Sequence, residues 1–222
     1  MKQMHAGTQK NNEKAPQDIV RELMTAIATG TTFKPDQRLV ELQLCDLFGV
    51  KRSKIREALR KLEHDGFVKI TRNIGAVVAK FSRRDIEQIY DLLGVLDGMA
   101  VRVATPFIAP EQLKSLDNIL HEMESTDDPS LFSNYNNEFH ALLNSFSENN
   151  RLMKITENLR LNVSAMGFRS FFAPGQISAS INDHRKIIEA IRENKPEKAE
   201  RKMRQHLIDA KKRLIGWMYK SL

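Results

Sequence analysis

The sequence predicts a mostly α-helical protein in two unequal parts. Three short helices closed by a small β-hairpin come first, and an all-helical bundle follows. Three observations predict this: apolar residues recur at helical spacing through most of the chain, one pair of short β-like runs interrupts them between residues 67 and 79, and proline or glycine breaks the remainder at helix-length intervals.

Composition sets the frame. The chain has 222 residues, 41% of them hydrophobic and 28% charged, enough for a core in one large or two modest domains. No stretch approaches the roughly 18 apolar residues of a membrane span. The opening "MKQMHAGTQKNNEKAPQ" has no apolar run of the kind a signal peptide carries, so residues 1–14 read as a disordered polar tail. The single cysteine, Cys45, excludes an internal disulfide and suits a reducing cytoplasm, with its side chain expected in a helix core. The net charge of +7 is uneven: residues 1–80 hold 15 Lys+Arg against 9 Asp+Glu, a net +6, and the remaining 142 hold 20 against 19. A localised basic excess suits a polyanion, either nucleic acid or an anionic membrane surface.

The elements follow in order. Ile19, Leu23, Ala26 and Ile27 share one face of a helix over about 18–29, ended by Gly30. "TTFKPDQRLV" reads as a connection. A second helix over about 41–48 turns Leu44 and Leu47 inward and closes at Gly49. A third starts near Arg52 or Ser53 and ends at Asp65-Gly66. Two β-like runs, 67–71 and 76–79, flank "RNIG", which has the composition of a hairpin turn. Beyond Lys80 the pattern is helical throughout, opened by a capping-box-like Ser82 and Asp85. Helices are expected over about 83–104, 109–124, 129–146, 149–171, 178–193 and 196–219, punctuated by Pro110, Pro129, "APG" at 173–175 and Pro196. Two domains are therefore expected, 15–80 and 82–222.

The third helix carries the basic excess. Lys51, Arg52, Lys54, Arg56, Arg60 and Lys61 interleave with Ile55, Ala58, Leu59 and Leu62. With about 100° per residue, Ala58, Leu59 and Leu62 fall within roughly 60° of Ile55 and form the packed face. Arg56, Arg60 and Ser53 share one flank, with Arg52 at its edge. A helix that packs on one side and offers guanidinium groups at its N-terminal flank, behind a glycine turn, has the form of a helix-turn-helix whose last helix enters the major groove. Arginine suits that place because its planar fork bonds guanine O6 and N7 together. The hairpin would form a wing, whose tip Arg72-Asn73-Ile74-Gly75 would reach a neighbouring groove or phosphate.

"RLVELQLCDLFGVKRSKIREALRKLEHDGFV" resembles the winged helix-turn-helix of GntR-type bacterial transcription regulators, through Gly49-Val50, Arg52, Ile55-Arg56-Glu57-Ala58-Leu59, Leu62 and Gly66-Phe67. The resemblance implies base contacts from Arg52 and Arg56, and phosphate contacts from Ser53 and the wing. It also implies a homodimer on a two-fold double-stranded operator. Lys51 departs from the usual Ser or Thr, which adds a cation for phosphate or changes the sequence read.

The helical half offers His140, His184 and His206 on three different helices. Each shares a face with apolar neighbours: His140 with Leu143 and Asn136, His184 with Ile181 and Ile188, His206 with Met203 and Ala210. Burying three imidazoles is costly unless their nitrogens find partners, and a divalent metal serves all three at once. Residues 82–219 resemble the helical effector domain of the FCD subgroup of these regulators, in "NNEFH", Asp183-His184 and "MRQHL". That resemblance implies a metal site of His140, His184 and His206, with Asn136 where the family has Asp. The metal expected is zinc, with nickel or manganese as alternatives. Asn removes a negative charge, so metal affinity falls and the site attracts an anion more strongly. Family members often carry Arg at Leu93 and Glu at Asp97; without that Arg, the candidates for a ligand carboxylate are Arg102, Arg160 and Arg169.

An enzyme is not expected. There is no His-Glu-x-x-His, no Gly-x-Ser-x-Gly and no glycine-rich phosphate loop, and Glu138 lies two residues from His140, off its face. The expectation is a cytoplasmic, DNA-binding regulator that senses a small organic acid through a metal-containing domain and touches no membrane. The alternative is a DNA-binding regulator or architectural protein whose histidine cluster is empty or purely structural, with another effector or none.

Overall fold

A computed structural model describes residues 15–29, 32–172 and 174–219. The expected polar tail, Gly30 and Ala173 lie outside the described residues.

The first part contains α1 (Pro16–Thr29), β1 (Arg38–Leu39), α2 (Glu41–Phe48), α3 (Arg52–His64), β2 (Val68–Thr71) and β3 (Gly75–Val78). The three strands form an antiparallel sheet in the order β1-β3-β2, with Leu39 opposite Ala76 and Val68 opposite Val78. β1 falls within the segment expected to be a plain connection. Two residues are too few to show alternation; the strand exists because Leu39 is buried in the core and because Asp36 N and Val78 N donate to Val78 O and Gln37 O.

Helix α2 ends at Gly49, whose φ of 65° lets its N–H donate to Cys45 O at 2.8 Å. Leu44 is buried as expected, but Leu47 is 61% exposed. Phe48, on the other side of Leu44, packs on the core in its place. A two-turn helix has one covered face, and a residue about 60° off that face reaches solvent. Cys45 is half-buried against the same core. On α3, Ile55, Ala58, Leu59 and Leu62 are buried against α1 and β2. Burying each of the larger three contributes about 1.5–3 kcal/mol.

The second part contains α4 (Arg83–Ala104), a short 3-10 turn at Thr105–Phe107, α5 (Pro110–Glu124), α6 (Pro129–Ser145), α7 (Asn150–Ser170), α8 (Gln176–Arg192) and α9 (Pro196–Met218). Pro110, Pro129 and Pro196 each open their helices, where a missing N–H costs nothing. Ser82 and Asp85 cap α4 reciprocally, Asp85 N donating to Ser82 Oγ at 3.1 Å and Ser82 N to Asp85 Oδ2 at 2.8 Å. α4 packs most extensively on α9. Gly98 permits that approach: a Cβ there would lie 2.9 Å from Arg204 Cγ.

Two hydrophobic cores result. One joins α1, α2, α3 and the sheet; the other lies within the bundle. Phe168 belongs to the first core although it sits on α7, and its ring meets Phe67 edge-on at 5.6 Å. Three residues later Phe171 packs on Phe132 in the bundle core, at 4.8 Å. Among the described residues no helix is long and apolar enough to cross a membrane.

Candidate functional site

The basic helix presents its charges outward. Lys51, Arg52, Ser53, Arg56 and Arg60 are all exposed. Lys51 occupies the N-cap of α3 and makes no side-chain cap, so the first amides of that helix have no side-chain acceptor there. Arg52 and Arg56 converge on one carboxylate, that of Glu41 at the start of α2. Arg56 Nε lies 3.1 Å from both Glu41 oxygens, and Arg52 Nε also pairs with it. Burial raises the pKa of Glu41, but the two arginines outweigh it and hold the carboxyl below its ordinary value. Arg60 is separate from this group. It lines a crevice between α1, α3 and the start of α6, together with Arg21, Lys61 and Asn134. At the hairpin tip Arg72 and Asn73 are exposed, and Asn73 takes φ 69° while Ile74 N donates to Thr71 O at 3.1 Å. Gly75 has φ 89° and lies over Arg38.

The histidines have the opposite setting. His140 on α6, His184 on α8 and His206 on α9 are 1%, 0% and 3% exposed. One ring nitrogen from each lies within 4.8 Å of the others. His140 Nε2 and His184 Nε2 are 3.4 Å apart, close to the edge of about 3.3 Å that two imidazoles span on one tetrahedral ion at ~2.0–2.1 Å. The far nitrogens of two rings face carboxylates. Asp97 Oδ2 is 3.6 Å from His140 Nδ1, and Asp183 Oδ2 is 3.5 Å from His206 Nδ1. These are ion-pair distances without hydrogen-bond geometry. Metal-ligating histidines commonly have this outer arrangement, a carboxylate behind the ring that fixes the tautomer and leaves Nε2 free to ligate.

Burial pushes His140 and His184 well below the ordinary histidine range, and neighbouring imidazoles push further; burial also lowers His206, against the opposing pull of Asp183. Burial thus favours the neutral imidazole in all three, the form that ligates. Among the described residues, four buried side-chain atoms have no hydrogen-bond partner: Nδ1 of His140, of His184 and of His206, and Nε of Arg160. All four lie in this one cluster. Buried polar atoms left unpaired are rare and mark ligand, ion or water sites. It is the convergence of one nitrogen from each ring, with a carboxylate behind two of the rings, that fits a divalent ion. Asn136, one helical turn before His140, lines the same cavity with His206.

Asp97 was the residue that sequence reasoning underused. It is fully buried on α4, accepts from Asn144 Nδ2 at 2.9 Å, and is ion-paired with Arg160. Its signal was present: Tyr90, Leu93, Asp97 and Val101 form one buried stripe, and a carboxylate on such a stripe needs a partner. Arg160 lines the cavity, and burial lowers its pKa to about 9, so it stays cationic at neutral pH. Tyr90 lines it too, its hydroxyl pushed up to about 12 by burial. Arg213 also lines the cavity, 3.3 Å from Asp183 Oδ2, and was not singled out from the sequence. Arg102 does not belong to the cavity. It projects from the outside of α4 and pairs with Glu200 Oε2 at 3.1 Å. The side chain of Arg169 lies outside the described residues.

Comparisons with known proteins bear on both halves. Residues 16–78 match the bacterial regulatory proteins of the gntR family, and residues 88–209 match the FCD domain. The chain is 31% identical over 180 residues to the uncharacterised HTH-type transcriptional regulator YdhC of Bacillus subtilis (strain 168), covering 79% of this chain and 80% of that one. It is 26% identical over 207 residues to the HTH-type transcriptional repressor RspR of Escherichia coli (strain K12), covering 90% and 87%. In fold it is similar to E. coli McbR/YncC, with a TM-score of 0.64 at 20% identity over 93% of this chain and 97% of that one. It is also similar to a GntR family member of Pseudomonas syringae pv. tomato str. DC3000, with a TM-score of 0.55 at 26% identity over 94% and 92%. These families and relatives are transcription regulators and not enzymes. The chain belongs to the GntR family of bacterial transcription regulators, with a winged helix-turn-helix followed by a helical FCD domain.

Proposed function

We propose that this regulator senses a small organic acid at a divalent metal held by His140, His184 and His206, with Asn136 beside them, and that occupancy alters how its DNA-binding part meets an operator. The observation that carries the reading is the convergence of three buried histidines from three helices, one ring nitrogen of each lying within 4.8 Å of the others. Zinc suits a set of neutral imidazoles best, with nickel or manganese as alternatives. A bound ion would supply a Lewis-acidic anchor for one carboxylate oxygen. The two arginines lining the cavity are each neutralised by a carboxylate, Arg160 by Asp97 and Arg213 by Asp183. The ion's charge would thus be uncompensated by Asn136, which favours an anionic ligand.

On the DNA side, residues 15–80 form the binding unit and 82–222 the sensing unit. Arg52 and Arg56 read bases. Lys51, Ser53 and the wing residues Arg72, Asn73 and Gly75 approach the backbone, and Arg60 takes a phosphate from the rim of its crevice. Phe168 supports a physical link between the two units. It lines the sensing cavity and is fully buried in the core beneath α3. A shift of α7 at the cavity therefore displaces a ring packed on Phe67, next to the recognition helix. Self-association as a homodimer is supported by the outer face of α4, where Leu92, Val95, Met99 and Val103 form an exposed apolar stripe. DNA binding and the reduced-thiol reading of Cys45 both support a cytoplasmic location.

The test is a thermal-shift series on the full chain with small carboxylates, with and without a chelator, read beside operator affinity. A ligand specific to the native state raises Tm by mass action, by up to about 2.7 kcal/mol of stabilisation at a hundredfold excess over Kd. One acid should stabilise the protein, lose its effect on chelation and change operator affinity. If chelation changes nothing and no acid registers, the cluster is structural and the sensing reading falls. If an acid binds and operator affinity stays the same, no coupling exists to explain.

A further inference from the structure

The two arginines that the reading above assigns to bases share one anion. Glu41 is the first residue of α2, whereas Arg52 and Arg56 stand on consecutive turns of α3. Both guanidinium groups engage its carboxylate through Nε. Arg52 and Arg56 nevertheless remain 65% and 54% exposed, while Glu41 is 27% exposed. The carboxylate thus sits behind the arginines, between the two helices, and the arginines stay open to the solvent side.

We propose that Glu41 is a specificity-determining positioning residue, whose carboxylate holds the Nε edges of Arg52 and Arg56 and so fixes the planes in which both guanidinium groups meet base edges. The inference rests on the reading that Arg52 and Arg56 contact bases. Its physical content is orientation. A free arginine side chain has many rotamers, and a bidentate contact with a guanine edge needs one plane. Holding two guanidinium planes before DNA arrives removes part of the ordering cost of binding. It also makes a phosphate, which accepts from any direction, a poorer competitor for the same groups.

Charge and orientation predict opposite signs, which makes the idea testable. Removing Glu41 deletes a negative charge beside two cations. Electrostatics alone would tighten binding to every duplex. Orientation predicts that binding to the preferred duplex weakens.

The experiment uses the full chain and a duplex selected by the wild-type protein from a randomised pool, compared with a scrambled duplex of the same composition. Glu41→Ala is expected to lower the ratio of the two affinities roughly tenfold, the scale of one bidentate base contact. Scrambled-duplex affinity is expected to hold or rise. Glu41→Gln, which preserves size and one acceptor oxygen, is expected to fall between. A double-mutant cycle of Glu41→Ala with Arg56→Ala should be non-additive in the ratio, because the first change already releases the second residue. Melting temperature is read for each variant, since a residue at a helix start also acts on the helix dipole. A purely structural role would lower Tm and leave the ratio untouched. An unchanged or increased ratio in Glu41→Ala, with Arg56→Ala lowering it, overturns the inference and leaves base reading intact. An unchanged ratio in both Arg52→Ala and Arg56→Ala overturns the base-reading assignment, and the role of Glu41 falls with it.

Discussion

The DNA-binding part and the helical domain treat polar groups in opposite ways. Among the described residues, the buried polar and charged groups begin at the Tyr90 hydroxyl and all lie in the helical domain, and the core beneath α3 is apolar. In the first part, charge stands on the surface, where Arg52 and Arg56 pair with Glu41 and still remain more than half exposed. In the second, Asp97, Arg160 and three histidines are buried inside the bundle. On the function proposed above, the difference follows from the ligands. A duplex is large and can come to an exposed helix, whereas a small anion is held selectively only where the protein surrounds it. The interior set therefore bears on stability as well as function, and the exterior set on function almost alone.

The sharpest way to break this comparison is at Asp97. Asp97→Ala leaves Arg160 buried without its counter-charge and takes the carboxylate away from His140. Removing one partner of a buried pair costs about 3–5 kcal/mol, whereas an exposed surface substitution such as Arg56→Ala changes stability by about 0.5 kcal/mol or less. Urea denaturation of both variants reads this directly. A loss under about 1 kcal/mol for Asp97→Ala would show that the bundle interior is wetter and more forgiving than its burial implies.

How far the sequence disclosed all this differs between the same two regions. The recognition helix was legible because its stripe is local: Ile55, Ala58, Leu59 and Leu62 lie within eight residues, and each is buried as the wheel predicts. The histidines were legible for the same reason, each lying on its own helix's apolar face. What did not show were relations between distant segments. Glu41 meets Arg52 across the turn, Asp97 meets Arg160 across 63 residues, and Phe168 leaves its own domain's core for another. Periodicity reports which face of a helix is buried but not which helix covers it. The error at Leu47 is the local counterpart, since a short helix shows two plausible faces and only the neighbours decide. Lys51 is a subtler case. Its charge suggested phosphate, while its place at the N-cap of α3 came only from backbone geometry.

Asn136→Asp sharpens the comparison by adding a charge inside the cavity. Without metal, a carboxylate next to three neutral imidazoles is poorly compensated, so the chelated variant should melt below the chelated parent. With metal, the new oxygen anion joins the site, and affinity should rise roughly 10–100-fold, the range that changes next to metal ligands produce. Competition against a chromophoric chelator measures the affinity, and calorimetry with and without chelator measures the two melting temperatures. Opposite signs in the two states are the expected result. Equal affinity in parent and variant would remove Asn136 from the site.

The smallest effect is expected at Arg102, and it separates inside from outside within a single helix. Arg102 and Asp97 both lie on α4, about one and a half turns apart. Asp97 is buried against Arg160 and His140, and Arg102 faces solvent with its guanidinium on Glu200. Exposed pairs of this kind contribute roughly 0–1 kcal/mol. Glu200 also accepts from Arg204, at 2.7 Å, so it keeps a partner when Arg102 is removed. Arg102→Ala should therefore leave metal affinity and the carboxylate-induced rise in Tm unchanged, and shift the urea midpoint very little. Arg160→Ala, measured beside it, should abolish the carboxylate response. If Arg102→Ala removes that response instead, the anion is recognised on the outer face of α4, and the buried cluster serves the fold rather than the signal.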